Sequence, residues 1–223
     1  MAENSFKNVS THPKAFFLLP VLPVKTLFLL GGVFSAFFIL IAGLVLFGYT
    51  NSMDNAIFSL MRSNSSNPIL DQALRRVVFL GSSQFVLPLS LLVGVFLSLY
   101  RRNLALGVWF VLSVILFEAL LESLKHLFAH PVQWLSHSAN FPNATALSLT
   151  LFYGLLILLI PHLITHQTLK NVLFYSLFGL ILLIGLALIV LGISFSSVLG
   201  GFCLGALGAC FSIGIYLSVF QKI

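Results

Sequence analysis

The sequence contains very little charge. Only 7% of its 223 residues are Asp, Glu, Lys or Arg, and only five are acidic, whereas 59% are hydrophobic. The mean hydropathy is +1.10. A soluble domain needs a more polar surface, so this composition excludes that class and indicates an integral membrane protein. The net charge of +6 reflects the scarcity of acid; it carries information on topology and gives no indication of nucleic-acid binding.

Cysteine and the common catalytic motifs are also scarce. Cys203 and Cys210 lie seven residues apart on one predicted helix, about 10 Å along its axis, which is too far for a disulfide. The sequence has no serine-nucleophile motif, no phosphate-binding glycine loop and no cysteine–histidine zinc pattern. The first apolar run is too long for a cleavable signal peptide and lacks a small-residue cleavage site. We therefore expect no cofactor and no cleaved leader.

Six apolar runs are long enough to cross a hydrocarbon core of ~30 Å. We predict an all-α, polytopic bundle of six transmembrane helices over residues 26–223, preceded by a cytoplasmic tail and interfacial segment over residues 1–25. A short amphipathic piece is predicted at 57–61. The six predicted spans are 27–49, 77–100, 104–128, 144–164, 172–191 and 197–220.

The distribution of basic residues predicts the orientation. Six spans place both termini on one side, where the tails and loops carry seven basic residues against four on the other side. The positive-inside rule then places both termini in the cytoplasm and residues 118–145 outside it. We expect a multi-pass protein of a bacterial inner (cytoplasmic) membrane. The two groups are Lys7, Lys14, Lys25, Arg101, Arg102, Lys170 and Lys222, and Arg62, Arg75, Arg76 and Lys125.

Polar residues concentrate at the end of the third span. Glu118, Glu122 and Lys125 share one helical face. A carboxylate as deep as that of Glu118 should face the bundle interior or a wet cavity. One interpretation is an outward-opening polar pocket that includes His126 and His130. The alternative is a structural Glu122–Lys125 pair beside a protonated or hydrogen-bonded Glu118.

The same stretch raises the question of a metal. Glu122, His126 and His130 have a helical spacing that could suit one. Histidines this close to a membrane interface are more often wetted or hydrogen-bonded than they are metal ligands. We therefore expect no metal site.

The fourth span begins with the sequence FPNATA. Pro142 precedes the predicted helix, and Asn143 is a favourable N-cap. The first backbone N–H groups of such a helix favour an anion, and Lys125 could reach the same place. The alternative is a capped helix with no ligand.

The sixth span carries a face of small residues. Gly201 and Gly205 form a GxxxG pattern, which Gly208 and Ser212 extend. Such a face allows close helix packing. We expect it to pack inside the bundle, with a dimer interface as the alternative.

The order of these pieces, from about Asp54 to Gly208, resembles the type 2 phosphatidic acid phosphatase superfamily, whose members dephosphorylate membrane lipids. LESLKHLFAHP is similar to the end of that family's third span, which reads KxxxxxxRP. FPNATA is similar to its FPSGHA motif, and GLALIVLGISFSS is similar to its SRxxxxxHxxxD motif. The resemblance implies a six-helix bundle with a phosphate-handling site at its extracytoplasmic end.

In the first two motifs, few of the family's working residues are matched. The lysine of the first motif falls at Lys125, but its arginine falls at Val132. In the second motif the serine falls at Asn143, the glycine at Ala144 and the general-acid histidine at Thr145. The resemblance therefore leaves Lys125, Asn143, Ala144 and Thr145 as candidates for binding phosphate or lipid.

The third motif is matched at none of its working positions. Its serine and arginine fall at Ala187 and Leu188, and its nucleophilic histidine falls at Ser194. The aspartate that orients this histidine is absent, and Ser197 is the nearest candidate. We therefore expect no catalytic residue to be retained.

These losses lead to one favoured function and two alternatives. The favoured function is a catalytically inactive or strongly impaired relative of membrane lipid phosphatases, binding a phospholipid or isoprenyl phosphate headgroup. The first alternative is an active phosphomonoesterase in which His130 or His137 works with Glu122. The second is a structural subunit that binds a membrane protein through its Gly201–Gly205 face or its outer loops. Expected partners are membrane lipids, then a homodimer or a partner membrane protein, and no nucleic acid.

Overall fold

The structure is a computed structural model that describes residues 22–62, 68–129 and 141–220. Six of its helices are long and apolar enough to cross a membrane when α3 and α4 count as one span. This confirms the predicted all-α, six-span fold. The helices in the described ranges are α1 Val24–Leu46, α2 Asn51–Arg62, α3 Pro68–Phe79, α4 Ser83–Arg101, α5 Leu104–Ala129, α6 Ala144–Leu163, α7 Gln167–Val190 and α8 Phe195–Phe220.

Between the first two spans, the described residues contain more helix than the sequence predicted. The amphipathic piece at 57–61 is part of the longer α2, and α3 was not predicted. The predicted second span began at Val77, which lies inside α3, whereas α4 begins after a turn at residues 80–82. The Ser82 hydroxyl donates to the carbonyl of Phe79 within this turn. Residues on both sides of this turn are apolar, so hydropathy alone shows α3 and α4 as one span.

Helices α6 and α8 form the centre of the bundle. In each, 61% of the most apolar 18-residue stretch is buried inside the bundle. A Cβ on Gly201 would lie 2.6 Å from the carbonyl oxygen of Asn143, and one on Gly205 would lie 2.7 Å from that of Leu147. The small-residue face of α8 is therefore covered by α6, as expected for internal packing, and is not free to bind a second subunit. Binding of a partner by another surface stays a prediction.

The two ends of the bundle carry different groups. Helices α5 and α7 run towards the end at which α6 and α8 begin, which we call the motif end because it carries Lys125, Asn143 and Ser194. The start of α1 and the last turn of α8, near Phe220, lie at the opposite end, which we call the termini end. That the termini end faces the cytoplasm stays a prediction.

The Gly205 contact can be tested by adding a single methyl group. Gly205→Ala should lower the free energy of unfolding by about 1–3 kcal/mol, because its Cβ would press on the backbone of α6. Gly179→Ala on α7 is the matched control, since a Cβ there meets nothing within 4 Å. Thermal unfolding in detergent micelles would measure both. Equal stability of the two variants would contradict this account of the packing.

Candidate functional site

A partly buried hydrogen-bonded cluster joins α4, α5 and α6 below the motif end. The Glu118 carboxylate accepts hydrogen bonds from the hydroxyls of Ser83, at 3.0 Å, and of Ser148. The Ser148 hydroxyl also lies 2.9 Å from the carbonyl oxygen of Ala144. Ser148 is fully buried. The deep carboxylate thus faces the bundle interior, where two hydroxyls satisfy it and tie three spans together.

Lys125 lies one turn from its acidic neighbour near the end of α5. Its Nζ donates to Glu122 Oε1 at 2.8 Å, and the side chain of Glu122 is 64% exposed. His126 is also exposed. A solvent-exposed pair of this kind contributes only about 0–1 kcal/mol, so a ligand could draw Lys125 away from Glu122 at little cost.

The Glu118–Ser148 contact determines how far Lys125 lies along the bundle axis from the start of α6. Lys125 is seven residues beyond Glu118, or about 10 Å along α5. Thr145 is three residues before Ser148, or about 4.5 Å along α6. The backbone of Lys125 therefore lies roughly 6 Å further out than that of Thr145. A side chain as long as that of lysine can cover this difference.

Asn143 fixes the start of α6. Its Oδ1 accepts a hydrogen bond from the Ala146 N–H at 2.9 Å, as predicted for an N-cap. Its own N–H donates to the carbonyl of Ser197 at 3.1 Å. In the described ranges, the N–H groups of Ala144 and Thr145 bond to no acceptor. Asn143 is thus held in structural bonds, and the two N–H groups that follow it are the ones suited to an anion.

The second and third motif positions meet at this point. The Asn143–Ser197 bond joins the start of α6 to the first turn of α8, directly after Ser194. Ala187 and Leu188, at the serine and arginine positions, are 2% and 3% exposed within the apolar core. The fold therefore brings Asn143 next to the turn that carries Ser194, whereas Ala187 and Leu188 carry no polar group.

Sequence reasoning missed Asp54 on α2. Its Oδ1 accepts a hydrogen bond from the Ser196 N–H at 3.0 Å, and its Oδ2 accepts one from the Ser196 hydroxyl at 2.6 Å. Asp54 is buried and caps the start of α8 from another helix. The only sequence signal was an acidic residue in an amphipathic segment. A protein carboxylate thus occupies the helix start that carries Ser194.

Several predicted positions lie outside the described residues. These include His130 and Val132, as well as His137 of the displaced-catalyst alternative. Among the residues that the structure does describe, no group of three His, Cys, Asp or Glu side chains could hold a metal. The spacing of Glu122, His126 and His130 therefore stays untested as a metal site.

Known proteins resemble this chain in sequence and in fold. Phosphatidylglycerophosphatase B of Bacillus subtilis (strain 168) is 29% identical over 184 residues, which cover 77% of this chain and 87% of the relative. This relative supports the resemblance to the type 2 phosphatidic acid phosphatase superfamily. The solved structure of a transmembrane phosphatidylglycerolphosphate phosphatase of this type from Bacillus subtilis has the same fold, with a TM-score of 0.70 and 23% identity. That match covers 86% of this chain and 98% of the other.

No family model matches the chain. Six apolar spans and the similarity to a membrane lipid phosphatase make this an integral, multi-pass membrane protein that is related to lipid phosphatases. The bacterial source of both relatives fits the expected inner (cytoplasmic) membrane.

The Asp54 cap can be tested by substitution. Asp54→Ala should lower the free energy of unfolding by about 1–3 kcal/mol, because it leaves the buried N–H and hydroxyl of Ser196 without their acceptor. Asp54→Asn should recover part of this loss, since an amide oxygen still accepts one hydrogen bond. Thermal unfolding in micelles would measure the changes. Glu122→Ala, at an exposed acid, should stay within about 0.5 kcal/mol of the parent; an Asp54→Ala variant as stable as this control would refute the cap.

Proposed function

We propose that the protein is a catalytically inactive or strongly impaired relative of membrane lipid phosphatases that holds the phosphate of a phospholipid or isoprenyl phosphate headgroup at its motif end. The observation that carries this proposal is the carboxylate of Asp54 on the first turn of α8. The resemblance assigns the nucleophile to Ser194, immediately before this turn. A carboxylate there opposes the attack on an anionic phosphoryl group at Ser194. It therefore supports the loss of turnover, whereas retained binding depends on the donors at the start of α6.

The groups required for the family's reaction support the inactive assignment. Phosphoryl transfer of this type needs a nucleophilic histidine, a general acid and cationic groups on the phosphoryl oxygens. Ser194 and Thr145 supply only hydroxyls, which are weak nucleophiles without a base. The apolar side chains of Ala187 and Leu188 stay in the core. Since loss of a single transition-state donor costs about 10²–10³ in rate, several losses together should leave no measurable turnover.

Three groups support retained binding. The N–H groups of Ala144 and Thr145 point away from the start of α6. The backbone of Lys125 lies roughly 6 Å further out along the bundle axis, an offset that its side chain can span. Lysine is a point charge and lacks the two-pronged geometry of arginine. We therefore expect modest affinity, with phosphate held by one charged and two backbone donors.

The named activity of the Bacillus relative favours a second candidate. In it, the protein is an active lipid phosphate phosphatase whose catalytic groups are displaced, with His130 or His137 acting beside Glu122. The exposure of Glu122 at the motif end is compatible with such a role. The two candidates differ in one measurable outcome, which is the release of phosphate.

Phosphate release from lipid substrates tests the favoured function. Purified protein in mixed micelles should release no phosphate above background from phosphatidylglycerophosphate, phosphatidic acid or an isoprenyl pyrophosphate at any pH at which it stays folded. Release that disappears on His130→Ala or His137→Ala would instead establish the second candidate. Release that disappears only on Lys125→Ala would show that the site formed by the family's motif positions is still catalytically active.

Binding by Lys125 is tested separately. Lys125→Ala should weaken the binding of a short-chain phosphatidic acid by about 3- to 10-fold, because one partly solvated charge-assisted hydrogen bond is lost. Isothermal titration in micelles of a neutral detergent would measure this. Lys25→Ala removes the same charge from an exposed position on α1 at the termini end. Equal affinities for the two variants would count against a headgroup site at Lys125.

A further inference from the structure

A polar cavity lies at the termini end, far from the motif positions. It has a volume of about 320 Å³ and lies where the end of α4, the start of α5 and the ends of α6 and α8 meet. Its polar lining comes from Arg101, Asn103, His162 and Tyr216. The rest of its wall is apolar and consists of leucines and Phe220. Volumes of roughly 300–1,000 Å³ are typical of small-ligand pockets.

Arg101 and Tyr216 supply this cavity with hydrogen-bond donors. Asn103 Nδ2 donates to the Tyr216 hydroxyl at 3.4 Å, so the phenolic proton is left to be donated elsewhere. The Nδ1 of His162 lies 3.3 Å from the carbonyl oxygen of Leu158, so in the neutral ring the proton is on Nδ1 and Nε2 is an acceptor. Arg101 adds a guanidinium with five donor hydrogens. The guanidinium and the phenol suit an acceptor with several oxygens.

The charge of the surroundings also favours an anion. The four acidic residues that the structure describes all lie at the motif end: Asp54, Asp71, Glu118 and Glu122. Glu118 lies 14 residues beyond the first residue of α5, or about 21 Å from the cavity end of that helix. Within the described ranges, therefore, no carboxylate is placed to neutralise Arg101.

We propose that this cavity binds the phosphate of an anionic membrane lipid, with Arg101 and the Tyr216 hydroxyl on the phosphate oxygens and the apolar wall against the start of the acyl chains. Basic pockets between membrane helices are suited to such headgroups. The apolar wall favours a lipid over free phosphate, since a hydrated ion gains nothing from leucine and phenylalanine side chains. The proposal does not depend on the function proposed for the motif end.

Trp109 provides a reporter next to this cavity. Its ring centroid lies 6.2 Å from that of Phe220, which lines the cavity, and its Nε1 donates to the carbonyl of Ser212. The chain has two tryptophans, so a Trp134→Phe background leaves Trp109 as the sole indole. Titration of this protein in neutral detergent with phosphatidylglycerol brominated on its acyl chains should quench Trp109. Brominated phosphatidylcholine should need about tenfold more lipid, as expected when the phosphate's net charge is masked.

Substitutions separate the cavity from general surface charge. Arg101→Gln should abolish the preference for phosphatidylglycerol, and Tyr216→Phe should reduce it without loss of the ring. Arg102→Gln is the matched control, since it removes the same charge from the next residue, which is exposed and does not line the cavity. Thermal unfolding of each variant would verify that it is folded.

Three results would overturn the proposal. The first is equal quenching by the two brominated lipids. The second is an equal loss of preference in Arg101→Gln and Arg102→Gln, which would reduce the effect to the basic charge of this membrane face. The third is displacement of the anionic lipid by millimolar inorganic phosphate, which would assign the cavity to free phosphate.

Discussion

The close contact between α6 and α8 is the constraint on which the rest of the structure depends. Two glycines, Gly201 and Gly205, allow the backbone of α8 to lie against the carbonyl oxygens of α6. The same approach allows the N–H of Asn143 to reach the carbonyl of Ser197. Motif positions about fifty residues apart in sequence thereby meet at one end of the bundle. Larger side chains on this face would separate the helices and the motif positions with them.

Inside this bundle, carboxylates accept hydrogen bonds from serines on neighbouring helices. Glu118 is bonded to two serines, and Asp54 is bonded to Ser196. Among the described residues, no buried side-chain nitrogen or oxygen lacks a hydrogen-bond partner. In a medium without water an unpaired polar group costs several kcal/mol, so each of these bonds also fixes the register of the helices that it joins.

The distribution of charge gives the two ends of the bundle different chemistry. The described acids lie at the motif end, where the carboxylate of Asp54 occupies the α8 start and Glu122 pairs with Lys125. Among the described residues, the termini end carries cations with no carboxylate beside them, including Arg101 next to a cavity. Phosphate binding is therefore proposed at both ends for different reasons. At the motif end it depends on the inherited scaffold and two helix N–H groups, and at the termini end it depends on side-chain donors beside an apolar wall.

The sequence by itself determined the six spans, the Asn143 cap and the resemblance to a phosphatase superfamily, because long apolar runs, capping residues and motif order are local patterns. Tertiary structure alone decided that α3 breaks from α4, that the Gly201–Gly205 face is filled by α6, and that Asp54 caps α8. The Asp54–Ser196 bond joins residues 142 apart in sequence, and no local pattern encodes such a contact. It depends on how close helices that are distant in sequence come when the bundle packs, which decides whether a carboxylate meets a helix start.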